Sequence, residues 1–440
     1  MSDLPFGFGV PDDKGSGDDS GDALGGFGFG GASPADLGAA LQQLGAMMQS
    51  SGGGPVSWQA AGDAARQAVI AAGDASCTLS EREQAREALR LADLWLDAVT
   101  ELPAAVHHAE AWSRQDWVQQ TLAQWQPYVE PLARRMSEAS LDAVPEEMRG
   151  MAGPMLGMLQ QMTGALFGMQ AGQGLAALAA DVVSATDVGL PLAPEGTAAL
   201  LPLNVAAFSE GLGVDDEQVR LYLALREAAH ARLFHHAPWL QSTVVSLVED
   251  YARGITVDMS QIEQAMGGVD PRDPEALQRI LGSGVFEPPT TDQQRAAQER
   301  LETVLALVEG WVDVVVDAAA RDHLPSAAAL RETVRRRRAT GGPAEATFAG
   351  LVGLTLRPRR LRDAATLWEQ LEASTGKTGR DAAWSHPDLL PTGDDLDDPA
   401  AFVSRSGDAA GTWDLSALDD LPPAPAEEPP GDTSAEDSPS

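Results

Sequence analysis

The chain has 440 residues and a formal net charge of −35. A field of that sign disfavours nucleic acid and anionic membrane as general partners, and the single cysteine, Cys77, excludes an intrachain disulfide and agrees with a reducing cytoplasm. With 44% apolar residues, few aromatics and abundant alanine, the composition is that of a mainly α globular protein.

The charge is concentrated at the ends. Residues 1–50 carry a net of −6 and residues 391–440 a net of −12. Residues 1–54 are Gly- and Asp-rich and residues 391–440 Asp-, Pro-, Ser- and Glu-rich, so both are expected to be disordered acidic tails. The N-terminus has neither a basic region nor an apolar run, so no secretory signal is expected.

Residues 55–390 read as a single helical domain with minor β structure. The first pattern, residues 57–73, is alanine-rich with Ala64, Val69 and Ile70 as its apolar stripe. The next, residues 80–100, opens on Ser80 and Glu83 at capping-box spacing and aligns Leu89, Leu91, Leu94, Trp95 and Val99. His107 and His108, in AAVHHAEAW, read as part of a separate helix. From Arg114 a helical pattern runs into Pro127 and Pro131, which predict a break. Residues 154–183 place Met155, Met158, Met162, Leu166 and Met169 at helical spacing beside Gly164, Gly168 and Gly172. Gln160, Gln161, Gln170 and Gln173 interrupt this run, and no clean apolar stretch reaches ~20 residues. The expectation is a buried helix packed closely on a neighbour, with the methionines in the core and no membrane span.

Prolines and short apolar runs in residues 189–208 predict extended chain with a small strand at 198–203. A helix over 214–236 follows, with Asp215, Asp216 and Glu217 where its dipole favours them and Pro238 ending it. Further helices are expected over 239–253 and 291–322, with two more helical stretches within 344–378. Nine arginines lie between 331 and 362, in RETVRRRR and LRPRRLR. Given the net charge, they read as a solvated basic face meeting the acidic helices or the acidic C-terminal tail, not as a phosphate site. His235, His236, His323 and His386 read as surface or helix-end residues.

The helix over 214–236 contains LALREAAHARLF, residues 223–234. Positions 226 and 230 lie one turn apart on one face. Two histidines at that spacing grip one zinc ion, and the glutamate after the first activates the metal-bound water. Here the three positions hold Arg226, Glu227 and His230. A guanidinium has no lone pair to give and repels a dication.

LREAAHARLFHHAPWL followed by VEDYARGI resembles a bacterial family of zincin-like, zinc-dependent metalloproteases or hydrolases, some of whose relatives are linked to deazaflavin cofactor synthesis. ALVEGWVDVVVDAAA (306–320), the Leu-Gly-Leu block at 350–376 and AAWSHPDLLPTGDDLDDPAAFVSR (382–405) are similar to further blocks of that family. The resemblance runs from about Trp58 to Arg405. It implies a zincin-like fold, zinc as cofactor, peptidase-type hydrolysis, Glu227 as base and His230 as a ligand. Glu309 is the leading third ligand and Glu249 the alternative. The first ligand position holds Arg226.

Two readings follow. One is a metallopeptidase-type hydrolase with a degenerate Arg-Glu-x-x-His motif and impaired or absent zinc chemistry. The other is a non-catalytic protein that uses the vestigial cleft for a protein, peptide or small-molecule partner. Where the metal is lost, Arg226 is expected to pair with Glu309 or Glu249 and to occupy the vacated metal position.

Overall fold

The computed structural model of the chain describes residues 54–142, 153–255, 291–341, 349 and 355–411. The N-terminal tail, residues beyond 411 and most of the 344–354 stretch lie outside these residues. Twelve helices and two short strands make up the described chain.

Helix α1 (Trp58–Ala71) begins at Ser57, whose hydroxyl accepts from the Ala60 N–H. Helix α2 (Leu79–Leu96) begins with a reciprocal capping box of Thr78 and Glu81, two residues before the expected Ser80–Glu83 pair. Thr78 is the residue with extended backbone (φ −70°, ψ 164°), which is what the cap position requires. Strand β1 (His108–Ala111) replaces the helix expected around His107 and His108. It pairs in parallel with β2 (Thr197–Leu200), His108 opposite Thr197, and Ser184 bridges the far side of β2. The sequence HAEA has no strand propensity of its own; backbone pairing to β2 makes it a strand.

Helix α3 (Arg114–Asp142) runs unbroken through Pro127 and Pro131. Trp117, Trp125, Tyr128, Val129 and Leu132 are all buried along it, and that packing outweighs the backbone hydrogen bonds the prolines remove. Helix α4 (Gly153–Asp181) lies against α1. A Cβ on Gly168 would sit 2.3 Å from the Ser57 carbonyl oxygen, and one on Gly172 2.3 Å from that of Ala61. The glycines therefore form the packing face. Leu166 and Met169 of the expected core stripe are exposed instead, and the side chains of Met155, Met158 and Met162 lie outside the described residues.

After the short α5 (Pro202–Ser209) comes α6 (Asp216–His236), which carries the motif. The Asp215 carboxylate accepts from the Glu217 N–H at its start, and every residue from 221 to 230 is buried. A helix buried on all sides crosses the middle of a domain. Helix α7 (Trp239–Arg253) turns off at Pro238. The second central helix, α8 (Asp292–Ala320), is buried without interruption from 305 to 316. Next are α9 (Ala327–Thr340) and α10 (Leu361–Ala382), the latter kinked at Gly376, whose φ is +69°.

Two helices then follow where the acidic tail was expected: α11 (Gly393–Asp397) and α12 (Pro399–Gly411). Leu396 and Phe402 are buried in the main core, so the fold extends past residue 390. The aspartates that suggest disorder have structural partners, since Asp395 caps α11 through Thr392 and pairs with Arg405. None of the described helices is long and apolar enough to cross a membrane.

Helix α10 crosses α8 at Gly310, where a Cβ would lie 2.7 Å from the Ala364 Cβ and 2.8 Å from the Ala365 backbone nitrogen. Trp368 fixes the crossing by donating its indole N–H to the Leu307 carbonyl at 2.9 Å. Gly310→Ala is expected to destabilise the fold by about 1–3 kcal/mol, because backbone cannot yield as a side chain can. The urea midpoint should fall accordingly; an unchanged midpoint would show that the crossing has slack.

Candidate functional site

Helix α6 brings the motif to Glu309 on α8. Arg226, Glu227, His230 and Glu309 are each at most 4% exposed. Arg226 Nη2 donates to Glu309 Oε2 at 2.5 Å. His230 Nε2 lies 3.2 Å from Glu309 Oε1, and since a carboxylate only accepts, this nitrogen carries the hydrogen. A third partner comes from α9: Arg338 Nη2 is 2.9 Å from Glu309 Oε1. Arg338 also contacts the Asp187 carboxylate at 3.2 Å and donates to the Asp187 carbonyl. Arg337 pairs with Asp187 and Asp181. The loop carrying Asp187 passes over the carboxylate at Gly189, whose φ is +84° and whose Cβ, if present, would stand 3.0 Å from Glu309 Oε1. Both the conformation and the close approach require glycine there.

The electrostatics follow from this packing. Burial pushes the Glu309 carboxyl upward, but Arg338, Arg226 and His230 outweigh it and hold the group well below the usual carboxylate range. Asp187 behaves alike, with burial overcome by Arg338 and Arg337. Burial alone would also depress Arg226, yet Glu309 raises it above the ordinary guanidinium value.

Glu227 is shifted in the opposite direction. Burial raises its pKa, against hydrogen bonds from Thr186 and Ser184. Its Oε2 accepts from the Thr186 hydroxyl at 2.6 Å and the Thr186 N–H at 3.1 Å, and its Oε1 accepts from the Ala199 N–H at 3.3 Å. The carboxyl thus ties α6 to β2 and to the loop that follows α4.

These residues do not fit a zinc ion. Glu309 is engaged by two permanent cations, and Arg226, at the first ligand position, has no lone pair to give and repels a dication. Among the described residues, no group of three His, Cys, Asp or Glu side chains is placed to hold a metal. Glu249 is exposed on α7, whose buried face is Leu240, Val244, Leu247 and Val248, so it does not join His230.

The arginine run is less solvated than its composition suggests. Arg331 and Arg335 reach the buried Asp313, while Arg336 and Arg362 pair with Glu332 at the surface. Arg338, Asp187, Thr186 and Gly189 complete the site and were not visible in the motif. The Asp-x-Gly pattern at 187–189 was the available signal, and a turn pattern does not indicate what the turn covers.

Beside the cluster, along the last turns of α6, lies a cleft of about 370 Å³. Phe234, Leu240 and Pro194 form apolar walls, and Thr197, His235 and Gln241 supply polar groups. Phe234 stacks on His230 with ring centroids 5.7 Å apart, and Thr186, which bonds Glu227, also lines the cleft, so the cleft borders the motif.

Truncating Arg226 to alanine leaves Glu309 with one fewer counter-ion and should cost about 3–5 kcal/mol in unfolding free energy. Because Glu309 titrates below its unfolded value, its contribution is present above the ordinary carboxylate range and is lost as pH falls through and below it. Glu309→Gln should therefore flatten the acid limb of a stability-versus-pH curve. An acid limb of unchanged slope would show that other carboxylates carry it.

Comparison with curated proteins finds no match. A solved structure from Chloroflexus aurantiacus, described as a "putative hydrolase with a novel fold", is similar over 80% of this chain and 98% of its own, with 20% identity and a TM-score of 0.56. At that identity the likeness establishes the fold. The model of the zincin-like metallopeptidase family matches residues 56–403, which take in both central helices and α11, and the chain belongs to that family.

Proposed function

We propose that this chain is a zincin-like protein without zinc hydrolysis, in which a buried ion cluster stands in the metal position and the cleft along α6 serves to bind a peptide or small-molecule partner. The observation that carries this reading is the pair of guanidiniums, Arg226 and Arg338, on the two oxygens of Glu309. Zinc would bring two positive charges to that carboxylate, and two arginines bring the same number permanently. Glu227 supports the reading further. Its carboxyl is fully buried and is held by Thr186 and Ala199, which gives it a structural role in tying α6 to β2. The cleft is of a size suited to small ligands, with apolar walls and a few polar groups.

The metal content of the purified protein tests this. No stoichiometric zinc is expected, and a zinc-to-protein ratio near one would overturn the proposal. Arg226→His alone should not take up zinc, because Arg338 still holds Glu309. The double variant Arg226→His, Arg338→Met should bind it, read by competition with a chelating dye. Tight zinc binding by the single variant would remove Arg338 from the explanation.

A further inference from the structure

The cleft along α6 gathers polar groups that the fold itself does not use up. Gln124 of α3 and Gln241 of α7 both line it and are half-buried. Gln241 Nε2 donates to Gln124 Oε1 at 3.5 Å. Each carboxamide carries a donor and an acceptor, so one bond between the two leaves an N–H and a C=O over. Turning both carboxamides by a half-turn leaves the same pair. The buried Tyr128 hydroxyl beside Gln241 can take only one of the two lone pairs on its carbonyl.

Thr197, at the start of β2, adds a third group. The residue is 8% exposed and lines the cleft. Its N–H donates to the Pro194 carbonyl, but its hydroxyl has no protein partner among the described residues. A buried hydroxyl and a half-used carboxamide pair facing one cavity call for a ligand that hydrogen-bonds them. Charge is confined to the surface of the cleft. The titratable residues of its lining are Glu195 and His235, and both are exposed. Burying an ion without a counter-charge costs far more than burying a neutral group that is hydrogen-bonded, and the exposed Glu195 opposes an anion further.

We propose that the cleft binds a neutral small molecule in which a primary carboxamide is joined to an apolar ring. A primary carboxamide presents a C=O and an N–H side by side, the complement of the N–H and C=O that the glutamine pair leaves over. Its second N–H is available to the Thr197 hydroxyl, and the ring packs against Phe234 and Leu240. The assignment rests on the cleft being a binding site, as proposed above, and adds the class of ligand. Such a site selects by what it leaves unpaired, because a ligand lacking the N–H strands a buried acceptor.

The experiment is saturation-transfer difference NMR of the full chain at neutral pH with hydrocinnamamide, hydrocinnamate and N,N-dimethylhydrocinnamamide, which share the ring and differ at the polar end. Saturable binding of the primary amide is expected, with the carboxylate and the dimethyl amide each weaker by about tenfold or more. The ligand series leaves the protein unaltered, and Gln241→Leu should erase the preference for the primary amide. Equal affinity for either analogue, or a preference that survives Gln241→Leu, would overturn the carboxamide assignment while leaving the cleft as a binding site. No saturable binding by any of the three would overturn the assignment and the cleft reading together, whereas the ion cluster is tested separately by the zinc content.

Discussion

A carboxylate in a protein core must be neutralised, and much of this structure is arranged around neutralising Glu309. An isolated buried carboxylate is strongly disfavoured, and pairing offsets that cost only when geometry and hydrogen bonding are nearly complete. Three elements contribute to the completion: Arg226 and His230 from α6, Arg338 from α9, and the Gly189 turn that covers the group from above. The crossing of the two central helices, the position of α9 and the path of the loop after α4 all meet at this one side chain.

The same logic extends along α8. Its face carries Glu309, Asp313 and Asp317 at four-residue spacing, and α9 meets them with Arg338, Arg335 and Arg331 in antiparallel order. The neighbouring residue has the opposite task. Gly310 carries no side chain and lets α10 approach α8 closely. The Glu-Gly pair thus joins two contacts on different sides of one helix: charge towards the motif, and close packing towards the tryptophans Trp311, Trp368 and Trp384.

Those parts of the fold set by local chemistry were legible in the sequence. The motif helix begins at an acidic cap and ends at Pro238, and both are visible in the residues. The partnership of Arg226 with an acid followed from charge balance, yet the choice between Glu309 and Glu249 did not. Spacing along a chain does not say which face of the next helix turns inward, and the apolar residues of α7 turn Glu249 outward. Arg338 was hidden for a related reason. Among four consecutive arginines, only the register of α9 against α8 decides which one reaches Glu309. Strand β1 and the last two helices were obscured by composition, since HAEA resembles helix and an Asp-rich stretch resembles a tail. Tertiary pairing made both into structure.

The two arginines on Glu309 differ in how far along the chain they must travel to reach it. Arg226 lies 83 residues away, whereas Arg338 belongs to the next helix of the same hairpin. Closing a short loop sacrifices less chain entropy than closing a long one. During folding the α8–α9 hairpin can thus assemble with its acid already matched to a cation, and α6 docks onto a surface whose charge is largely quenched. The local partner acts as an escort for the carboxylate on its way into the interior.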